Sequence, residues 1–117
     1  MALDPANEID KLRKSSLVKQ IISLDADVAP SLYRIKVRVE LKNGWLMDFF
    51  ERRSPDKRRY SYHVFRKDGK MIIRWDNAPH YPNLRTFPHH KHRGRKIEES
   101  VEARTSYVLR ELGMLIK

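Results

Sequence analysis

The chain has no cysteine, so disulfides and thiolate metal sites are both excluded. It has only four glycines, which leaves few places for tight turns of positive φ. No apolar run approaches the roughly 20 residues that a membrane span requires. The opening stretch MALDPANEID has neither a basic n-region nor an apolar h-region, so no signal peptide is expected. A cytoplasmic protein without membrane contact fits these absences. No internal repeat is visible, and 117 residues make one domain the expectation, 1–117.

Acidic residues are also scarce where they matter most. The formal net charge is +10. Between Lys57 and Lys96 twelve basic residues face only Asp68 and Asp76, and this window holds the whole excess. All five histidines lie in it too. A charge of one sign, gathered in one segment, implies a polyanionic partner such as nucleic acid, a membrane surface or an acidic protein, with a nucleic-acid-facing surface favoured.

Within that window, Arg74–Gly94 reads RWDNAPHYPNLRTFPHHKHRG. It contains four histidines, His80, His89, His90 and His92, and three of the six prolines, Pro79, Pro82 and Pro88. Proline fixes φ and removes a donor, so these three stiffen a loop without help from helix or sheet. Histidine changes charge near neutrality. The expectation is a stiff loop presenting imidazoles and guanidinium groups to a ligand.

The flanking segments predict an α+β fold. Asp4-Pro5 is a helix start, with a short helix over 5–14. The segment 17–24 fits both a helical and a strand period; its isoleucines and valine favour a strand. Ser31–Leu41 alternates strictly, with Tyr33, Ile35, Val37, Val39 and Leu41 on one side. Asn43-Gly44 and Asp68-Gly69 are hairpin signals. They separate strands over 45–52, 58–67 and 70–76. The strand at 45–52 is apolar on both faces and belongs inside the sheet. A final helix is expected over 101–116, with Ser100 as its cap. Together these predict an antiparallel sheet of four to five strands, the C-terminal helix packed on one face, and a short N-terminal helix.

The same residues resemble the TumE family, the toxin components of prokaryotic toxin–antitoxin pairs. The likeness runs from Tyr60-Ser61-Tyr62-His63 and Asp68-Gly69 through Arg74-Trp75-Asp76-Asn77-Ala78-Pro79-His80 to Phe87-Pro88-His89-His90-Lys91-His92 and Gly94. Tyr81 stands where relatives often carry another histidine. The resemblance implies a toxin acting on RNA and restrained by a cognate antitoxin, often a helix-turn-helix protein. It supplies no catalytic residues.

Residue chemistry suggests three uses of the loop. In the first, RNA is cleaved without metal or other cofactor. His89, His90, His92 and His80 are then candidates for general acid and base, and Arg74, Arg85, Lys91 and Arg93 for holding phosphate. Tyr62 is a candidate for stacking on an unpaired base. In the second, His90 and His92, two residues apart, join His80 and Asp76 around a metal ion. In the third, the domain binds nucleic acid or its antitoxin and catalyses nothing. A homo-oligomer is compatible with any of these.

Overall fold

Strict alternation at Tyr33–Leu41 makes one side of that segment apolar and the other charged. Such a strand must bury one face and wet the other. In the computed structural model, which describes residues 4–116, this pattern organises the molecule. The elements are α1 (Ala6–Lys14), β1 (Val18–Ala29), β2 (Leu32–Leu41), β3 (Leu46–Ser54), β4 (Lys57–Phe65), β5 (Met71–Asp76), β6 (His90–Arg93), β7 (Lys96–Glu99) and α2 (Thr105–Leu115). Residues 1–3 of the stretch read for a signal peptide lie outside the described part.

All seven strands form one antiparallel sheet, paired in sequence order from β1 to β7. Short connections make this arrangement the simplest one. Gly44 and Gly69 turn the second and fourth hairpins at φ of 92° and 91°, where a Cβ would be strained. β1 settles the ambiguous segment as a strand and carries it on to Ala29.

The sheet has seven strands where four to five were expected. The two additional ones, β6 and β7, are four residues each, HKHR and KIEE. Neither has an apolar alternation, so periodicity could not reveal them. β6 pairs with β5 from Ile73↔Arg93 to Asp76↔His90. Part of the expected loop is therefore sheet. Gly94, at φ 60° between Arg93 and Arg95, was the available sign of a two-residue hairpin.

One face of the sheet is roofed by both helices. Ile35, Val37, Phe49, Tyr62 and Trp75 are buried there against Leu12 of α1 and Val108 and Leu112 of α2. β3 lies inside the sheet, as expected, with Met47 and Phe49 inward and Leu46 and Phe50 half-buried on the open face. The final helix begins later than expected, at Thr105 rather than near Val101, which is 59% exposed. Residues 100–104 run extended because their backbone is already engaged. The Ser100 N–H donates to Thr86 Oγ1 (3.0 Å), the Ala103 N–H to Tyr60 Oη (3.1 Å), and the Ala103 carbonyl accepts from Arg58 (2.8 Å). Among the described residues no helix is long and apolar enough to cross a membrane.

Candidate functional site

The segment between β5 and β6 is stitched at both ends. The Asn77 Oδ1 accepts the Tyr60 N–H (2.9 Å) and an Arg59 N–H (2.9 Å), while its Nδ2 donates to the Arg58 carbonyl (2.7 Å). Asp76 Oδ1 accepts the Ala78 N–H at 2.9 Å. These side-chain bonds replace a strand ladder at the start of the loop. Near its end, Thr86 Oγ1 donates to the His89 carbonyl (2.8 Å) and accepts from Ser100.

Strand parity then divides the histidines. Successive residues of β6 point to opposite faces, so His90 and His92 go one way and Lys91 the other, and His89, just before the strand, lies on the Lys91 side. His89 lies by the covered face. Its ring stacks on Tyr60 (5.8 Å between centroids, 16° between planes), and its Nδ1 is 2.8 Å from the Tyr60 hydroxyl. That hydroxyl also accepts from the Ala103 N–H at 3.1 Å. Burial, with Arg58 and His90 adding to it, lowers the His89 pKa. Lys91 reaches α2, where its Nζ is 3.5 Å from Glu111. Both residues make these contacts on the covered face, whereas His90 and His92 point to the open one.

On the open face the cross-strand register builds two adjacent rows. Asp48, His63, Arg74 and His92 are successive partners across β3, β4, β5 and β6. Ser61, Asp76 and His90 form the next row. Where the rows meet, Arg74 Nε donates to Asp76 Oδ2 (3.0 Å) and its Nη2 to His92 Nε2 (3.2 Å). His92 Nε2 lies 3.6 Å from Asp76 Oδ2, and His90 Nε2 lies 2.9 Å from Asp76 Oδ1. Tyr81 folds back from the loop with its ring edge-on to His90 (4.9 Å) and His92 (5.9 Å). The His90 side chain is 1% exposed, His92 14% and Arg74 38%.

Burial and then the nearby Arg74 guanidinium lower the pKa of both His92 and His63. Each therefore favours the neutral imidazole, which can accept a proton. One nitrogen from each of His90 and His92 and one oxygen from Asp76 lie within 4.8 Å of one another, a spacing that a metal ion could bridge.

The other expected site residues are dispersed. His80 is exposed on the loop, its ring 6.3 Å from that of Tyr81. Arg85 is exposed, and Arg93 is exposed with Nε 3.9 Å from Glu98. Tyr62, expected to meet a base, is fully buried: it stacks on Phe49 at 4.5 Å and bonds Thr105 at 3.1 Å. The helix layer lies over its face of β4 and excludes RNA from it.

Two features of the open face escaped the sequence reading. Asp76 is the centre of the cluster rather than only a neighbour. A cavity of about 540 Å³ is lined by Leu32, Phe50, Arg52, Ser54, Lys57 and Arg59. It forms because the Ser54–Lys57 turn sets Arg52 opposite Arg59. The arginines of strand pairs are visible in sequence only once that register is known.

The described residues thus form a seven-stranded α+β domain with one face roofed by helices and one bare face bearing an imidazole–carboxylate–guanidinium cluster. The chain belongs to the family described as toxin TumE, whose model matches residues 8–116. No curated protein and no solved structure matches it.

Proposed function

We propose that this protein is the toxin of a toxin–antitoxin pair. On this reading it binds single-stranded RNA across the open face of its sheet and cleaves it beside Arg74 and His92. The observation that carries the proposal is the in-register meeting of His63, Arg74 and His92 on a face left bare by the helices.

Cleavage begins when a ribose 2′-oxygen attacks the adjacent phosphorus and the 5′-oxygen departs. A base must take the 2′-hydroxyl proton, an acid must protonate the leaving oxygen, and a cation must balance the phosphorane charge. The lowered pKa of His92 suits it to be the base. The Arg74 guanidinium can turn from Asp76 to the non-bridging oxygens. The acid would come from outside the cluster, and exposed His80, its ring 6.3 Å from that of Tyr81, is the loop histidine left for that role. Phe50, Arg52 and Arg59 line a hollow suited to a neighbouring nucleotide, the ring stacking on a base and the guanidinium groups holding phosphate. An acidic surface on the antitoxin would block the same basic face.

The sealing of His90 favours a second reading, in which the same face binds RNA and leaves it intact. One experiment separates the two: a labelled single-stranded RNA is incubated with the wild type, His92→Ala and His89→Ala. Cleavage that His92→Ala abolishes and His89→Ala preserves supports the proposal. Salt-sensitive binding without cleavage by the wild type supports the second reading.

A further inference from the structure

We infer that Asp76, His90 and His92 form a binding site for one divalent transition-metal ion of the zinc type. The decisive atom is Nε2 of His90. On the other side of that ring Nδ1 lies 2.9 Å from the Pro88 carbonyl, which can only accept, so Nδ1 carries the hydrogen. In the neutral tautomer that this bond selects, the lone pair lies at Nε2. This atom is buried and meets no hydrogen-bond partner among the described residues. Its nearest polar neighbour is Asp76 Oδ1 at 2.9 Å, in a geometry that is not a hydrogen bond. Two electron-rich atoms so close, shielded from water, call for a cation between them.

The second imidazole also turns an acceptor nitrogen toward the cluster: His92 Nε2 accepts from Arg74 and lies 3.6 Å from Asp76 Oδ2, so its lone pair is released when the guanidinium swings away. Ligand atoms bound to tetrahedral zinc at about 2.0–2.1 Å stand roughly 3.4 Å apart. The separations of 2.9 Å (His90 to Oδ1) and 3.6 Å (His92 to Oδ2) bracket that figure, one histidine to each oxygen of the carboxylate. The supporting bonds also match a metal site. A ligating histidine commonly donates its other N–H to a carbonyl, as His90 does, and Asp76 is itself held by the Ala78 N–H. Two imidazoles and a carboxylate, with no thiolate, suit zinc, cobalt or nickel better than magnesium or calcium.

Arg74 is the internal competitor. Its guanidinium bridges Asp76 and His92, and its exposed side chain can swing outward. The ion and the base role proposed for His92 also need the same nitrogen. Zinc should therefore inhibit cleavage; that consequence rests on the cleavage reading, whereas binding of the ion does not.

The test contains no RNA, so the two proposals can fail separately. Untagged full-length protein is stripped with a chelator and titrated with Co²⁺, following its visible ligand-field absorption. One equivalent should bind and raise the melting temperature. His90→Ala, and independently the near-isosteric Asp76→Asn, should weaken binding by about a hundredfold. Arg74→Leu, which removes the competitor and no ligand, should tighten it by roughly tenfold. If neither the wild type nor Arg74→Leu takes up Co²⁺ saturably, or if folded Asp76→Asn binds as the wild type does, the site is refuted.

Discussion

Each face of the sheet holds a cluster of charges, and the two clusters are finished differently. On the covered face Glu51 accepts from the Tyr33 hydroxyl and from Arg58 Nε. Arg58 goes on to Glu102 (3.0 Å) and the Ala103 carbonyl (2.8 Å), and lies 4.2 Å from the centre of the Tyr60 ring. That cluster is saturated. On the open face the Asp76 cluster leaves Nε2 of His90 without a hydrogen bond and keeps His92 and Arg74 within reach of solvent. Buried charges that only hold a fold together must be fully paired, because an unpaired one is costly. Among the described residues Glu8 Oε2 shares this lack of a partner, but only His90 Nε2 has it beside another imidazole and a carboxylate, which is what the proposed ion site rests on.

The largest effect should come from breaking the saturated cluster. Glu51→Ala leaves Arg58 buried without its carboxylate and should lower stability by about 3–5 kcal/mol in urea unfolding. RNA affinity per folded molecule should not change. A comparable loss in Asp76→Asn would erase the distinction between the faces.

His92→Asn should reduce RNA cleavage by about a hundredfold or more while the melting temperature stays near that of the wild type. His89→Asn should do the reverse: weaken packing against Tyr60 and leave cleavage per folded molecule intact. Equal loss of cleavage in both would mean that strand parity does not divide the histidines by role.

Charge reversal at Arg52 or Arg59 should weaken RNA binding by about tenfold or more in low salt. It should also reduce the salt slope by about one for each phosphate no longer neutralised. Arg53→Glu, from the other face of β3, is the control and should change affinity less.

The smallest effect concerns pH. Burial and Arg74 lower the His63 pKa in the folded state. Between that lowered value and about 6.5 the unfolded chain binds more protons, so stability rises with pH. His63 therefore adds no penalty above about pH 6.5 and an increasing one as the pH falls below it. His63→Asn should lessen the fall in melting temperature between about pH 7.5 and 5.5. An unchanged fall would place the acid-sensitive group elsewhere.

β2 was legible because it obeys a period that burial enforces. Tyr33–Leu41 alternates, and Asn43-Gly44 and Asp68-Gly69 close hairpins at the expected places. β6 was not legible: HKHR contains no apolar residue, and it becomes a strand only because β5 offers a free edge. The start of α2 was misplaced for a similar reason, since Tyr60, Arg58 and Thr86 claim the backbone that Ser100 was expected to cap.

By itself the sequence determined the inventory: a basic window rich in histidine, an α+β pattern of elements, and the residues from which a site could be made. Tertiary structure decided which of them meet. The helices roofed one face, where Tyr62 is buried and His89 and Lys91 make their contacts, and the β5–β6 register brought His90 and His92 beside Asp76 and Arg74. The reason is the two-residue period of a strand: a register shift of a single position would turn every one of these side chains to the opposite face.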